Sequence, residues 1–161
     1  MSTILVVDDD LTQQLIVFKI LKNIGLNFIF AEDGQEALEL AQRYCPDLII
    51  LDIILPRMNG YEVCRRLKSD KKTQKLAVLM CSNKTENCDR YWGIKQGADA
   101  YISKPCHPQE LINTVKYLLE EGRTYAGVAS VSVVTQKTEY AGYLDGSTRA
   151  VFQAPTSGSS H

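Results

Sequence analysis

The chain of 161 residues has no surplus of charge, because 18 basic and 19 acidic side chains leave a net charge of −1. Nucleic-acid-binding domains usually carry a basic patch, so nothing predicts nucleic acid as a partner. The sequence also lacks the apolar run of about 20 residues that a membrane-spanning helix needs. Its N-terminus shows neither the basic segment nor the cleavage site of a secretory signal. These absences predict a cytoplasmic protein with no membrane partner.

Cysteine is present without a pairing pattern. The five cysteines are odd in number, and no two of them form a CxxC motif. Disulfide frameworks and zinc sites usually show such regular spacings. We therefore expect free thiols in a reducing compartment at the following positions: Cys45, Cys64, Cys81, Cys88 and Cys106.

Short apolar runs alternate with segments of helical periodicity over about the first 120 residues. The runs at 4–7, 28–31, 48–51, 76–81 and 98–103 predict strands. Five helical segments follow them in turn, and the apolar stripe of the first is marked by Leu11, Leu15, Phe18 and Leu21. Such alternation favours a parallel sheet with helices on both faces. The fold class is therefore predicted as α/β, a flavodoxin-like (βα)5 doubly wound sheet of order 2-1-3-4-5.

A single carboxylate ends the most apolar of these runs. Leu48-Ile49-Ile50-Leu51 is followed directly by Asp52, and Pro56 and Gly60 then interrupt regular structure before the next helix. A continuous apolar run is typical of a strand buried on both faces. An aspartate in this position either caps a turn or belongs to a site at the carboxyl end of the sheet.

Polar side chains also end three of the other predicted strands. Asp8 and Asp9 follow the first strand, Ser82 the fourth and Lys104 the fifth. Parallel strands end at one edge, so these residues are expected to lie near Asp52. Clustered carboxylates repel one another, and an oxygen-only ligand set favours Mg²⁺. A lysine and a hydroxyl suit phosphoryl oxygens, so the set predicts phosphoryl transfer onto Asp52.

Each of these residues also has a purely structural explanation. Asp8 or Asp10 could be a helix N-cap, Ser82 could cap the next helix, and Lys104 could be a solvated lysine before Pro105. Their occurrence together at four strand ends favours a functional site over separate coincidences.

The motifs resemble those of the receiver domain of bacterial two-component response regulators, over residues 2–121. The matching residues are Val6-Val7-Asp8-Asp9, Asp52-x-x-x-Pro56-x-x-x-Gly60, Ser82, Gly97-Ala98-x-x-Tyr101 and Lys104-Pro105. The segment 91–101 is most similar to stand-alone, chemotaxis-type (CheY-like) receivers. Those of cyanobacterial phototaxis and of type IV pilus twitching systems resemble it most.

The resemblance implies a phospho-accepting site. Asp52 would accept a phosphoryl group from a sensor histidine kinase, either CheA-like or hybrid. Asp8, Asp9 and Asp52, together with the backbone carbonyl of Ile54, would bind Mg²⁺.

The resemblance also implies a switch. Ser82 would turn toward the phosphoryl oxygens, Lys104 would pair with the aspartyl phosphate, and Tyr101 would swing inward. The face of helix 4, strand 5 and helix 5 would then bind a downstream protein not yet identified. The chain would be a signalling switch and no enzyme, apart from self-dephosphorylation. Ile54 and Lys84 depart from the commonest pattern, and we expect them to slow that hydrolysis because an apolar Ile54 cannot orient water.

Two other classes of protein share parts of this pattern. A Mg²⁺-dependent phosphatase with an aspartyl nucleophile would resemble haloacid-dehalogenase-like enzymes. Those usually carry a second aspartate two residues after the nucleophile, where this chain has Ile54. A pseudo-receiver would have lost acidic or acceptor positions, and none is lost here.

Helical periodicity stops after Gly122. We therefore predict a receiver domain over residues 2–122 and an extension over 123–161. The extension alternates at period two over 128–134 and contains the turn signal Asp145-Gly146, so it is either β-rich or flexible. About 39 residues cannot form an independent core. Ordered strands would have to pack on the receiver or on a second copy, which would make a homodimer.

Overall fold

The computed structural model describes residues 1–84 and 86–121, in which five strands alternate with five helices. The strands are β1 (Thr3–Val7), β2 (Asn27–Ala31), β3 (Leu48–Leu51), β4 (Ala77–Ser82) and β5 (Ala100–Ser103). The helices are α1 (Leu11–Leu21), α2 (Gly34–Tyr44), α3 (Gly60–Ser69), α4 (Asn87–Lys95) and α5 (Pro108–Glu121), and a 3-10 turn (Lys22–Ile24) follows α1. The predicted extension at 123–161 lies outside the described residues.

The five strands form one parallel sheet of order β2-β1-β3-β4-β5. This confirms the predicted flavodoxin-like order. Val7 pairs with Leu51, and Leu51 pairs with Met80, so the carboxyl ends of the central strands are level. The order of the chain reverses between β1 and β3, where such sheets bind ligands.

Side chains alternate along the strands and build a core on each face of the sheet. Leu5 and Ile49 belong to a core that packs against α2 and α3. Ile4 and Ile50 belong to the opposite core, against α1 and α5. All four side chains are almost completely buried, which explains why β1 and β3 are apolar without interruption.

Helix α1 turns the first part of its predicted apolar stripe outward. Leu11 is 63% exposed and Leu15 is 48% exposed, whereas Gln14, Val17 and Leu21 are buried. The prediction of a helix is confirmed and Leu21 of the stripe faces the core, but the orientation implied for Leu11 and Leu15 is wrong. Gln14 can lie inward because its amide meets backbone carbonyls, as described below for the site.

The outward stripe of α1 meets aromatic side chains of β2. Leu11, Leu15, Phe18 and Phe30 line a surface hollow of about 270 Å³ together with Gln14. The Phe18 ring also meets the Phe28 ring edge-on, with centroids 5.2 Å apart. The apolar surface on this side of the molecule is therefore continuous from α1 to β2.

Strand β5 begins at Ala100, two residues later than predicted. The Asp99 carboxylate accepts hydrogen bonds from the Val78 N–H at 2.8 Å and from Lys68 Nζ at 2.9 Å. The Asp99 N–H also donates to the Val78 carbonyl at 2.8 Å, so its backbone is tied to β4 just before β5 begins. Among the described strands β5 pairs with β4 alone. None of the helices in residues 1–84 and 86–121 is both long and apolar enough to cross a bilayer.

Candidate functional site

Three aspartates meet at the carboxyl edge of the sheet. Asp8 and Asp9 follow β1, Asp52 follows the neighbouring strand β3, and one carboxylate oxygen of each lies within 4.8 Å of the other two. Asp8 and Asp52 are 5% and 8% exposed, whereas Asp9 is exposed. Three carboxylate oxygens at this separation fit a hard divalent cation that keeps part of its water.

Lys104 follows the edge strand β5, and its side chain contacts both buried aspartates. Its Nζ lies 2.5 Å from Asp8 Oδ2 and 3.2 Å from Asp52 Oδ2, and its side chain is 7% exposed. Burial opposes the charged form of the lysine. The hydrogen bond that Lys104 donates to Asp8 and the charge of Asp52 outweigh burial, so the pKa of Lys104 is raised. The ammonium is therefore fixed in its charged form between the carboxylates.

Backbone N–H groups hold the second oxygen of each buried carboxylate. Asp8 Oδ1 accepts from the Asp10 N–H at 3.0 Å, and Asp52 Oδ1 accepts from the Ile53 N–H at 2.7 Å. Each carboxylate is thus held by a lysine on one oxygen and by backbone on the other. This geometry fixes the orientation of both groups before any ligand arrives.

Gly60 allows the β3–α3 loop to fold back on Asp52. The Gly60 N–H donates to the Ile53 carbonyl at 2.8 Å. A Cβ at position 60 would lie 2.2 Å from the backbone oxygen of Asp52, closer than any side-chain carbon can approach. Asn59 caps α3 by accepting from the Glu62 N–H at 3.0 Å. The glycine of the sequence motif is therefore required by close backbone contact.

Gln14 supports the acidic pocket from α1, a role that the sequence did not reveal. Its Nε2 donates to the Asp8 carbonyl at 2.8 Å and to the Ala31 carbonyl at 3.0 Å. These two carbonyls belong to the ends of β1 and β2. The one signal for this role in the sequence was an amide residue among the apolar residues of α1. It was missed because Gln14 lies outside the predicted stripe.

Ser82 links the end of β4 to both Lys104 and Tyr101. It is completely buried, and its carbonyl accepts from the Lys104 N–H at 2.9 Å. Its hydroxyl oxygen accepts from the Lys84 N–H at 3.3 Å, and the carbonyl of the same Lys84 accepts from Tyr101. Ser82 does not cap α4, because Glu86 is the N-cap residue of that helix. Asp10, by contrast, is the N-cap of α1.

The Tyr101 ring lies inward, 2% exposed, with its hydroxyl donating to the Lys84 carbonyl at 2.5 Å. The Arg90 guanidinium lies over the ring at 5.3 Å from its centroid and donates to Ser103 Oγ at 2.6 Å. Gly93 of α4 also approaches the ring, because a Cβ there would lie 3.2 Å from a Tyr101 ring carbon. Burial, with the neighbouring Tyr61 and Asp89, raises the pKa of Tyr101 above its usual value.

The structure therefore brings the predicted site residues to one edge of the sheet. Asp8, Asp9, Asp52 and Lys104 form the pocket, and Ser82 adjoins it through the backbone of Lys104. The side chain of Ile54 is 58% exposed. A role of its backbone carbonyl in metal binding stays a prediction.

These observations define a doubly wound α/β domain with an acidic, cation-type pocket at the switch point of its sheet. The chain belongs to the response regulator receiver domain family, whose model matches residues 4–116. Receiver domains accept phosphoryl groups from histidine kinases, bind Mg²⁺ at an acidic pocket and act as signalling switches.

Individual relatives match the same part of the chain. Protein PilH of Pseudomonas aeruginosa is 33% identical over 119 residues, which cover 74% of this chain and 98% of PilH. The transcriptional regulatory protein PhoP of Bacillus subtilis is 39% identical over 123 residues, which cover 76% of this chain but only 50% of PhoP. The crystallised chemotaxis response regulator CheY4 of Vibrio cholerae has a TM-score of 0.69 at 30% identity, with 73% of this chain and 98% of CheY4 covered. The matches along nearly all of PilH and CheY4 support the resemblance to stand-alone, CheY-like receivers.

Proposed function

We propose that Asp52 accepts a phosphoryl group from a sensor histidine kinase, with Mg²⁺ bound by Asp8, Asp9, Asp52 and the backbone carbonyl of Ile54. The observation that carries this proposal is the convergence of three carboxylates with the Lys104 ammonium at the switch point. The bound cation would neutralise carboxylate and phosphoryl oxygen charge. The three aspartates are the residues whose oxygens fit it best.

The side chains of the site have distinct parts in the transfer. A carboxylate oxygen of Asp52 attacks phosphorus, and the bond from phosphorus to the kinase histidine nitrogen breaks, so that nitrogen takes the electron pair. The Lys104 ammonium contacts Asp52 Oδ2. From this position it can pair with the negatively charged phosphoryl oxygens after the transfer. The Ser82 hydroxyl can donate to another of these oxygens.

The proposed switch runs from Ser82 to Tyr101. Both side chains are buried and bond to the backbone of Lys84, whose N–H donates to the Ser82 hydroxyl oxygen and whose carbonyl accepts from the Tyr101 hydroxyl. Moving the Ser82 hydroxyl toward a phosphoryl group would release the Lys84 N–H and so disturb the residue that holds Tyr101. A change at the pocket would therefore reach the α4–β5–α5 face, where we propose that a downstream protein binds.

Incubation with acetyl phosphate and Mg²⁺, followed by intact mass measurement, tests the proposal. Wild type should gain a single phosphoryl group, and Asp52→Asn should gain none. Asp47→Asn is the matched control, because Asp47 lies at the opposite end of β3 and accepts the Thr3 N–H. It should be phosphorylated like wild type. A phosphoryl group on Asp52→Asn, or none on wild type, would contradict the proposal.

The same reaction distinguishes a signalling switch from a phosphatase. An aspartyl phosphatase would release phosphate from many small phosphate esters in repeated turnovers. Position 54, where such enzymes usually have an acid, is an exposed isoleucine. We expect one transfer per molecule and no turnover of these esters. Sustained phosphate release that depends on Asp52 would favour the phosphatase.

Self-hydrolysis should be slow because of the residue two positions after the acceptor. Ile54 is exposed beside the pocket and offers no hydrogen bond to an attacking water. Lys84, which lies 3.7 Å from Asp89, is expected to act in the same direction. Ile54→Asn should shorten the phosphoryl lifetime in a mass-based decay assay, with Ile54→Leu as the control. An unchanged lifetime in Ile54→Asn would count against this prediction.

The pathway is proposed from similarity to chemotaxis-type receivers, of which CheY4 carries the word chemotaxis in its name. We propose motility signalling of the chemotaxis, phototaxis or twitching kind, with a CheA-like or hybrid kinase. PhoP is a transcriptional regulator, and the match spans about half of it. The absence of a nucleic-acid partner stays a prediction. The cytoplasmic location, the homodimer and the boundary at residue 122 likewise stay predictions.

A further inference from the structure

Two thiols meet on the α5 side of the loop that carries Lys104. Cys81 is the residue before Ser82 in β4 and is 2% exposed, whereas Cys106 lies two residues after Lys104 and is partly exposed. Both side chains pack in the same apolar core, which also contains Leu111 of α5. A hydrogen bond with the other thiol is the main cause of the pKa change of each, which indicates that the two side chains lie close together.

The backbone keeps the two cysteines close. The Lys104 N–H donates to the Ser82 carbonyl at 2.9 Å, which ties the end of β4 to the start of the loop after β5. Cys81 lies one residue before this hydrogen bond, and Cys106 lies two residues after it. A disulfide needs thiols that approach closely on backbones already near each other. The proximity of this pair therefore comes from the fold as well as from side-chain orientation.

The two thiols differ in reactivity. A hydrogen bond from Cys81 lowers the pKa of Cys106; burial opposes this effect, and the positive charge of Lys104 adds to it. The hydrogen bond to Cys106, with burial, raises the pKa of Cys81. Oxidation-sensitive cysteines are partly exposed, thiolate-favouring and adjacent to a second thiol. Cys106 fits the attacking thiol, and Cys81 fits the resolving thiol.

We propose that Cys81 and Cys106 are a redox modification site. In this proposal a low-molecular-weight disulfide, such as oxidised glutathione, converts the two thiols into a reversible intramolecular disulfide beside the acidic pocket. The bond would join the end of β4 to the loop after β5, and the short S–S distance would draw the segment that positions Lys104 toward β4.

The reaction balances in two exchange steps. The Cys106 thiolate attacks one sulfur of the small disulfide, which releases one small thiolate and leaves a mixed disulfide on Cys106. Cys81 then loses its proton to solvent, and its sulfur attacks the Cys106 sulfur and releases the second small thiolate. The protein loses two electrons and two protons, and the small disulfide is reduced to two thiols. An excess of reduced small thiol reverses both steps.

The consequence for the pocket follows from the position of Lys104. Its Nζ lies 2.5 Å from Asp8 and 3.2 Å from Asp52, contacts that a shift of the loop would lengthen. Small misplacements of a positioning group can cost up to about a hundredfold in rate. This consequence rests on the proposed phosphoryl acceptance, whereas formation of the disulfide does not.

Thiol mapping of the wild-type full chain tests the disulfide without any variant. The reduced protein is equilibrated in glutathione buffers of increasing oxidation, quenched with N-ethylmaleimide and digested. We expect a Cys81–Cys106 linked peptide that is lost again in reducing buffer, while Cys45, Cys64 and Cys88 are alkylated. Absence of this peptide at every ratio, or glutathione remaining on Cys106 with a free Cys81, would overturn the proposal.

Phosphorylation of the two redox forms tests the consequence. With acetyl phosphate, the oxidised wild type should react roughly tenfold or more slowly than the reduced protein. Cys106→Ala should react at one rate in both buffers, and Cys88→Ala, which removes an exposed thiol of α4, should respond like wild type. Equal rates in a protein whose disulfide has been mapped would overturn the link to the pocket. If neither form is phosphorylated, the proposed function fails, while the peptide map still decides the disulfide.

Discussion

Strands β4 and β5 have different chemistry on their two sides. On one side, the register partners Met80 and Tyr101 pack beneath Gly93 of α4, where a Cβ would lie 2.7 Å from the Met80 sulfur. On the other side, the next partners, Cys81 and Ile102, face α5. On the α4 side, close steric contact thus restricts which side chains fit, whereas the α5 side carries a reactive thiol. Because side chains alternate along a strand, the close contact of Gly93 and the reactive Cys81 thiol lie on opposite faces of the sheet. Both lie near Ser82.

The same difference extends to the elements that support Asp8 and Asp52. On the face of α2 and α3, Gly60 meets the backbone of Asp52 at a distance that excludes any side chain. On the face of α1 and α5, hydrogen bonds from Gln14 support the end of β1, and the outer surface of α1 is apolar and exposed. One face is fixed by steric fit and the other by polar contacts. Substitutions on the two faces should therefore lower the stability of the protein for different reasons.

The largest effect is expected from Gly60→Ala on the sterically fixed face. The added carbon would lie 2.2 Å from the Asp52 oxygen, and a backbone atom cannot move aside as a side-chain end can. We expect a loss of about 3 kcal/mol or more in the free energy of unfolding, measured by urea titration.

Gly25→Ala is the control for Gly60→Ala. Gly25 has a φ of 76° and no atom within 4 Å of the added carbon, so only backbone strain is tested. It should cost roughly 1 to 2 kcal/mol. Equal losses for the two variants would show that the close approach of the β3–α3 loop is not what requires glycine at position 60.

Gln14→Leu tests the polar support on the opposite face. It removes the buried side-chain donor of the Asp8 carbonyl, whereas the Ala31 carbonyl keeps its hydrogen bond from the Asp8 N–H at 3.1 Å. We expect a loss of about 2 kcal/mol in the free energy of unfolding, because unpaired buried acceptors cost roughly 1 to 3 kcal/mol. Gln13→Leu, on the neighbouring partly exposed position, should change stability by less than about 0.5 kcal/mol. A stabilised Gln14→Leu would contradict the assigned role.

Tyr101→Phe should cost about 1 kcal/mol at neutral pH, because it removes one buried hydrogen bond. It should also change the pH profile. The pKa of Tyr101 is raised in the folded state, so above pH 10 the unfolded chain releases the phenol proton first, and stability falls as pH rises.

The variant should lose less stability than wild type between neutral pH and the alkaline range, measured by denaturant titration at each pH. Tyr61, whose pKa burial raises to about 12, and Lys104 contribute to the alkaline fall in both proteins. The difference between the two profiles therefore reports on Tyr101. Tyr44→Phe, on an exposed residue, should follow wild type. Superimposable profiles for Tyr101→Phe and wild type would contradict the raised pKa.

The smallest effect is expected at the outer surface of α1. Leu15 is 48% exposed, so Leu15→Gln should change the free energy of unfolding by less than about 0.5 kcal/mol. Val17→Ala, only two residues away but 6% exposed, should cost more than 1 kcal/mol. If Leu15→Gln were the more damaging variant, the direction of the apolar stripe would be wrong.

The sheet and the pocket were predictable because their signals are local and a topological rule combines them. Apolar runs gave the strands, the alternation gave the parallel order, and the residues after β1, β3 and β5 then had to share one edge. Asp8, Asp52 and Lys104 could therefore be placed together although 96 residues separate the first from the last.

The remaining features depend on contacts that no local pattern contains. Gln14 faces inward because carbonyls from two other strands satisfy its amide, and such a buried polar residue looks like a surface residue in sequence. Asp99, predicted to lie within β5, precedes it, and its carboxylate bonds to Lys68 and Val78. The contact between Cys81 and Cys106 required the register of β4 against β5. Each case needs the distance between chain segments, which periodicity does not supply.

The position of β5 at the margin of the sheet affects how readily it can open. A four-residue strand bonded to a single neighbour loses few ladder hydrogen bonds when its end separates, whereas β3 has to break from two neighbours at once. Local opening free energies are lowest where few backbone bonds must break. Amide protons of β5 should therefore exchange with solvent before those of β3. Tyr101 and Lys104 thus belong to the part of the sheet whose displacement requires the least unfolding.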